Sequence, residues 1–220
     1  MDLYADDALV ERLTLEGIAA TGSRLLQIDR FHPDDAEHVA SLLCLFEIPM
    51  NATVLDVGCG VGETARLMHA ARPDLKFVLS NVSQAQLAMC PDFPKVLAPA
   101  ESLPVARGDV DHMMVTYALG HFDLPRFAQQ AMRILPTGGR LYVFDLFKHE
   151  SEIYGDCHLA DHLNYAERSI ADVIETFRQH RLKMLMTYEV CDAPPQIEAL
   201  MPKPYTLDGS ISAAIVFEKE

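Results

Sequence analysis

The sequence predicts a doubly wound α/β fold, a mainly parallel β-sheet with helices on both faces. Three observations predict it. From residue 53 onward, apolar runs of strand length alternate with segments of helical periodicity. Those runs are largely apolar rather than alternating, as in strands covered on both faces. A glycine-rich turn, VLDVGCGVGET, joins the first run to the helix behind it.

Taken in order, Leu9, Leu13, Ile18 and their neighbours suggest that the chain opens with an amphipathic helix. Pro33 starts a second, running through Leu45, because its missing N–H costs nothing in a first helical turn. Strand Thr53 to Val57, helix Glu63 to Ala71 and strand Lys76 to Ser80 follow. Ser83, with Gln86 three positions later, is a capping-box pattern that opens a helix through Met89 and puts a turn at Asn81 and Val82. Val110 to Thr116 is a buried-strand run, and Phe127, Ala131, Ile134 and Leu135 line a helix that Gly138 and Gly139 end. LYVFDLF is the next strand; Ser169, with Asp172 three residues on, then starts a helix whose Ile170, Val173, Ile174 and Phe177 share a face. Strands Lys183 to Val190 and Ser212 to Phe217 follow, separated by a proline-rich loop. The expected organisation is one domain over 1–220, with a helical segment over 1–50 and a substrate lid over 148–168.

Composition narrows the function. Lys and Arg number 18 against 32 Asp and Glu, for a net charge of −14, and no basic run is present to neutralise phosphates along a duplex. MDLYADDALVERL lacks the basic start and apolar run of a signal peptide, and no apolar stretch approaches the roughly 20 residues that span a bilayer. A soluble, cytoplasmic protein is expected, with a small-molecule acceptor as partner and homodimerisation left open; membrane and nucleic acid are not expected partners. The five cysteines, at 44, 59, 90, 157 and 191, are scattered, odd in number and without a CxxC pair, so they read as reduced thiols.

The glycine turn carries the chemistry. Gly58, Gly60 and Gly62 stand at alternate positions at a strand end, where a bare backbone lets a ligand lie against the main chain and the next helix N-terminus. A tight turn with glycines present only for packing is the plainer alternative. Asp56 puts an anion where a dinucleotide fingerprint would present only N–H groups to a pyrophosphate, and Glu63 replaces the third glycine of G-x-G-x-x-G. Both point to a ligand with a cationic end.

Further segments follow in a telling order: FVLSNVSQAQLA, AESLPV, VTYALGHF and RILPTGGRLYVFDLF. With VLDVGCGVGE they make the stretch from about Ala52 to Phe147 resemble the class I, Rossmann-like S-adenosylmethionine-dependent methyltransferases. The resemblance implies a seven-stranded sheet and S-adenosyl-L-methionine as cofactor. It implies cofactor contacts from Asp56, Gly58, Cys59, Gly60 and Gly62, from Asn81 and Val82 at the ribose, from Ala100 and Glu101 at the adenine, and from Tyr117. Three positions depart from the family pattern. Asn81 stands where a ribose-binding acid is common, and a neutral amide cannot accept two charge-assisted bonds. Pro99 stands where an Asp often precedes the Ala-Glu pair, and the turn before the fifth strand reads LPTGG.

Methyl transfer needs a nucleophile aligned with the S–CH3 bond and, for some acceptors, a base. His121, just beyond the fourth strand, is the first candidate base, with a structural or solvated histidine as the alternative. Tyr117 is a candidate for contact with sulfonium or substrate, or for packing. Asp145 ends the fifth strand in apolar surroundings, as a substrate-facing acid or a buried, partnered one. KHESEIYGDCHLADHLNYAER is the least family-like stretch; His158 and His162 supply two metal donors where a site needs three or four, so a polar lid is expected and no metal. Leu3, Phe31, Phe122 and Phe147 are candidate walls for an apolar acceptor of isoprenoid, quinone, lipid or polyketide-like character. The expected function is S-adenosylmethionine-dependent methylation of a small apolar or amphipathic molecule. A catalytically inactive binding or assembly subunit and a nicotinamide oxidoreductase are the alternatives.

Overall fold

The computed structural model describes residues 6–25, 34–148, 165–166, 168–190 and 210–220. Two helices come first. α1 (Asp7–Thr21) is capped by the Asp6 carboxylate, which accepts from the Ala8 and Leu9 N–H groups, and it stops at Gly22 in the left-handed conformation. α2 (Asp35–Phe46) is capped in the same way by Asp34, so an aspartate rather than a proline marks its start; Pro33 itself lies outside the described residues.

The sheet is then built by β1 (Thr53–Val57), α3 (Glu63–Ala71), β2 (Lys76–Asn81), α4 (Gln84–Met89), β3 (Lys95–Leu97), β4 (His112–Thr116), α5 (Leu124–Ile134), β5 (Arg140–Lys148), α6 (Ile170–Gln179), β6 (Leu182–Val190) and β7 (Ser210–Lys219). Its seven strands run in the order β3-β2-β1-β4-β5-β7-β6. The first five strands are parallel, and β7 lies antiparallel between β5 and β6. Strand order reverses between β1 and β4, which opens a crevice at their carboxyl ends. The expected doubly wound sheet is present, with β3 as an addition. Its three residues, KVL, are too few to show a period in the sequence.

Alternation along the strands sends side chains to two cores. Leu55, Val57, Met113, Val115, Leu141, Val143 and Phe147 pack with α5 and α6 through Phe127 and Phe177. Val54, Met114, Tyr142 and Phe144 pack on the other face with Leu42 and Phe46 of α2 and Met68 of α3. The same parity puts Asp56 on the α2–α3 face and Asp145 on the α5–α6 face. α1 packs on α4, where the Asp7 carboxylate accepts from Ser83 Oγ at 3.2 Å. No described helix is long and apolar enough to cross a membrane.

Candidate active site

The turn after β1 takes its shape from three left-handed glycines, with φ of 71° at Gly58, 55° at Gly60 and 73° at Gly62. Two of them answer to packing as well as to a ligand. A Cβ on Gly58 would stand 2.5 Å from the Ala118 Cβ, and one on Gly62 would meet Leu79 at 2.9 Å. The turn can therefore nestle under the loop after β4 only if it is bare. The Gly58 and Cys59 N–H groups both bond the Ser80 carbonyl, at 2.8 and 3.1 Å, which ties the turn to the end of β2.

Above it lies a cavity of about 400 Å³. Four stretches distant in sequence wall it: Val57–Gly60 with Glu63 and Thr64, then Asn81, Val82 and Gln86, then Ala98–Glu101, then Thr116–Ala118 with His121 and Phe122. Arg24 and Leu25, just beyond α1, complete the rim. Tyr117 holds a left-handed φ of 54°, a strain of roughly 1–3 kcal/mol for a bulky residue. Its N–H still bonds the Phe144 carbonyl at 2.8 Å, so β5 holds the loop in that conformation. The His121 ring stands edge-on to Tyr165, with centroids 5.2 Å apart, and Phe122 packs on Phe127.

Amides rather than acids line the cavity beside the end of β2. The Asn81 Nδ2 donates to the Gly60 carbonyl at 3.2 Å and to the Gln86 Oε1 at 2.9 Å, while its Oδ1 accepts from the Ser83 N–H. The Gln86 Nε2 in turn donates to the Thr14 Oγ1 on α1 at 3.0 Å. The capping box is thus half formed. Ser83 Oγ accepts from the Gln86 N–H, but the Gln86 side chain belongs to the cavity wall. Glu63 is buried and forked by Arg66, with Arg24 Nε at 3.6 Å; chiefly through the Arg66 hydrogen bonds its carboxyl is held below the ordinary range. Glu101 borders the cavity while its Oε1 accepts from the Asp123 N–H at 2.7 Å.

The two remaining acids differ. Asp56 is fully buried one residue behind the cavity floor, and neither carboxylate oxygen has a hydrogen-bond partner among the described residues. Burial pushes its pKa up to about 7. Asp145 is equally buried but saturated. It accepts from the Leu119 N–H at 2.7 Å, from the Leu146 N–H at 2.8 Å and from the Tyr165 hydroxyl. Burial raises its pKa to about 6, against the pull of those bonds.

Of the residues expected at the site, Gly58, Cys59, Gly60, Asn81, Val82, Ala100, Glu101, Tyr117 and His121 border the cavity. Asp56 and Gly62 sit behind its floor. Asp145 does not reach it, which corrects its reading as a substrate-facing acid: its oxygens are spent on the loop after β4 and on Tyr165. Phe147 is a core residue, and Phe122 is a cavity wall. Leu3, Phe31, His158, His162 and most of the expected lid lie outside the described residues. Sequence reasoning missed Arg24, Gln86, Tyr165 and Arg168. Arg168 donates to the Leu119 and Phe122 carbonyls at 2.9 and 2.7 Å, pinning the His121 loop from outside. The Ser83–Gln86 spacing was the one available signal, and it was absorbed by the capping pattern.

A mainly parallel sheet with this strand order, and a glycine turn beside a nucleoside-sized cavity at its switch point, is the arrangement of the class I, Rossmann-like methyltransferases. The chain has the fold of that class, whose cofactor is S-adenosylmethionine. Residues 55–143 match the family model described as "Methyltransferase domain". A search of curated proteins finds no match. Among solved structures, the cyclase SpnF is 17% identical with a TM-score of 0.80, over 97% of this chain and 94% of that one. Geranyl diphosphate C-methyltransferase from Streptomyces coelicolor A3(2) is 14% identical with a TM-score of 0.70, over 84% and 81%. A protein described as a sarcosine dimethylglycine methyltransferase from Galdieria sulphuraria is 14% identical with a TM-score of 0.71, over 98% and 99%. At these identities the likeness is one of fold. The site itself fits the cofactor: a buried carboxylate without a hydrogen-bond partner among the described residues lies behind a bare turn, and a cationic sulfonium nucleoside suits that floor better than a pyrophosphate does.

Proposed function

We propose that the chain transfers a methyl group from S-adenosylmethionine to a small acceptor with an apolar body. The observation that carries this reading is the convergence of four separated segments on one cavity at the β1–β4 switch point. When bound, the cofactor supplies an electrophilic methyl group on sulfur. The turn from Gly58 to Gly60 forms the floor on which the cofactor's methionine and ribose parts rest. Asp56 offsets their positive charge from behind, Asn81 and Gln86 present amides to the ribose, and the 98–101 segment bounds the adenine. Tyr117, His121 and Phe122 wall the opposite side, where the acceptor approaches. Among the described residues on that side, His121 carries the imidazole that would take a proton, at a ring nitrogen, when the acceptor atom carries one.

Phe122, Leu25 and Ala118 supply apolar wall around few charges, which supports an apolar or amphipathic acceptor. The geranyl diphosphate C-methyltransferase among the structural relatives acts on such a molecule. Isothermal titration with S-adenosylhomocysteine tests the cofactor reading directly: binding in the micromolar range is expected, and none at about 1 mM removes it. Mass spectrometry of candidate acceptors after turnover tests the reaction. The likeness to the cyclase SpnF carries a second reading, in which the cavity turns over an acceptor without methylating it. An isomeric product, unchanged in mass and formed with S-adenosylhomocysteine bound, would select that reading.

A further inference from the structure

Cys59 and Cys90 are 31 residues apart in sequence, and the fold puts their sulfurs 4.0 Å apart beneath the glycine turn. Both are buried, and both thiols point at the same main-chain atom: the Gly60 carbonyl is 3.6 Å from the Cys59 Sγ and 3.4 Å from the Cys90 Sγ. Cys59 belongs to the cavity floor, and Cys90 supports Gly62, whose Cβ would stand 3.2 Å from its sulfur. Nothing in the proposed transfer uses either thiol.

We infer that Cys59 and Cys90 form a dithiol modification site, which a hydroperoxide converts to a disulfide that draws the glycine turn out of its ligand-bearing shape. The two sulfurs differ, and the difference assigns their roles. The hydrogen bond from Cys59 favours the Cys90 thiolate and, against burial and the Asp56 charge, so do the Lys95 and Arg24 charges, whereas Cys59 is held as the protonated thiol. The Cys90 thiolate attacks the O–O bond, taking one oxygen to become a sulfenic acid and releasing the alcohol, or water from hydrogen peroxide. The Cys59 sulfur then attacks the sulfenic sulfur; the S–O bond breaks and the oxygen leaves as water with the Cys59 proton. Two electrons pass from the sulfurs to the peroxide bond. Bonding distance is about 2.05 Å. The sulfurs must therefore close by about half their separation, and the compliant partner is the turn, through Cys59 between Gly58 and Gly60.

The effect on the cofactor rests on the proposed function; the disulfide does not. The test treats the full-length chain, as a Cys44→Ser variant so that the exposed Cys44 cannot compete, with hydrogen peroxide, then alkylates it and maps its peptides. A Cys59–Cys90 bond is expected, formed more slowly with S-adenosylhomocysteine bound and reversed by a dithiol reductant. Titration of the oxidised protein should show S-adenosylhomocysteine affinity reduced at least about tenfold. The same treatment of Cys90→Ser should leave its affinity unchanged. Absence of the bond, or a bond with unchanged affinity, overturns the proposal. A bond in a protein whose reduced form never binds S-adenosylhomocysteine upholds the dithiol site and removes the cofactor reading instead.

Discussion

The carboxyl halves of β1 and β5 each hold a fully buried aspartate, and the two are opposites. Asp56 has neither oxygen bonded among the described residues, whereas Asp145 collects two main-chain N–H groups and a phenol. Burial raises both pKa values, to about 7 and about 6. A buried polar group left unbonded costs free energy that the fold must recover elsewhere. Asp145 recovers it on the spot, and in doing so fixes the loop that carries His121. Asp56 avoids it by keeping its proton, and in the proposed reading a bound cation would stabilise its ionised form. One acid is architecture; the other is the candidate for a ligand site.

The sharpest test of that contrast falls on the saturated end. Asp145→Ala strands the Leu119 and Leu146 N–H groups and the Tyr165 hydroxyl, an expected loss of roughly 3 kcal/mol and a fall in Tm of roughly 6–12 °C. Tyr165→Phe should lose about 1 kcal/mol, since the two main-chain bonds survive. Urea unfolding measures both. A change in Asp145→Ala no larger than in Tyr165→Phe would mean that the acid does not organise the loop.

The unsatisfied end should respond in the opposite sense. An Asp56 that titrates near 7 when folded and near 3.8 when unfolded keeps its proton in the native state after the unfolded chain has lost it. Stability of the cofactor-free protein therefore falls as pH rises from about 4 to about 8, by about 4 kcal/mol from this group alone, and is level above. Asp145 adds to the same trend up to about pH 6. Asp56→Asn should flatten the curve, leaving only the Asp145 share, and should weaken S-adenosylmethionine binding at pH 8 about tenfold. The parent's affinity should rise with pH through 7 as the carboxylate ionises, and the variant's should not. Denaturation and titration across pH 5–8 read both. A variant with parental affinity would move Asp56 into the same class as Asp145.

Why one end was readable in the sequence and the other was not follows from where the partners lie. Asp56, Gly58, Gly60 and Gly62 are local: a strand end, a left-handed turn and a helix start fall within a dozen residues, so the pattern carries the geometry. Asp145 was visible as a costly acid, but Leu119 is 26 residues away and Tyr165 is 20, and the parity of β5 alone does not say what waits on that face. The order of the strands was legible from alternation. The identity of the cavity's amides was not, because the spacing from Ser83 that reads as a capping pattern is the spacing that puts Gln86 in the cavity wall.

Those amides set the smallest of the effects. The sequence suggested that an acid at 81 would grip the ribose better than Asn81 does. In the structure the Asn81 Nδ2 is committed twice, to the Gly60 carbonyl and to Gln86 Oε1, and Gln86 is committed onward to Thr14. Asn81→Asp turns both donations into contacts between acceptors and leaves only the Ser83 N–H bonded, at an expected cost of about 1 kcal/mol. Any gain at the ribose must come from a carboxylate that also pushes away the Gly60 carbonyl on the cavity floor. Affinity for S-adenosylhomocysteine should accordingly change by less than about threefold, although a charged acceptor has been added. Tightening by tenfold with stability intact would show that the floor yields readily. The β1 end would then be soft as well as unsatisfied, and its readiness for a cation would owe less to fixed geometry than to charge.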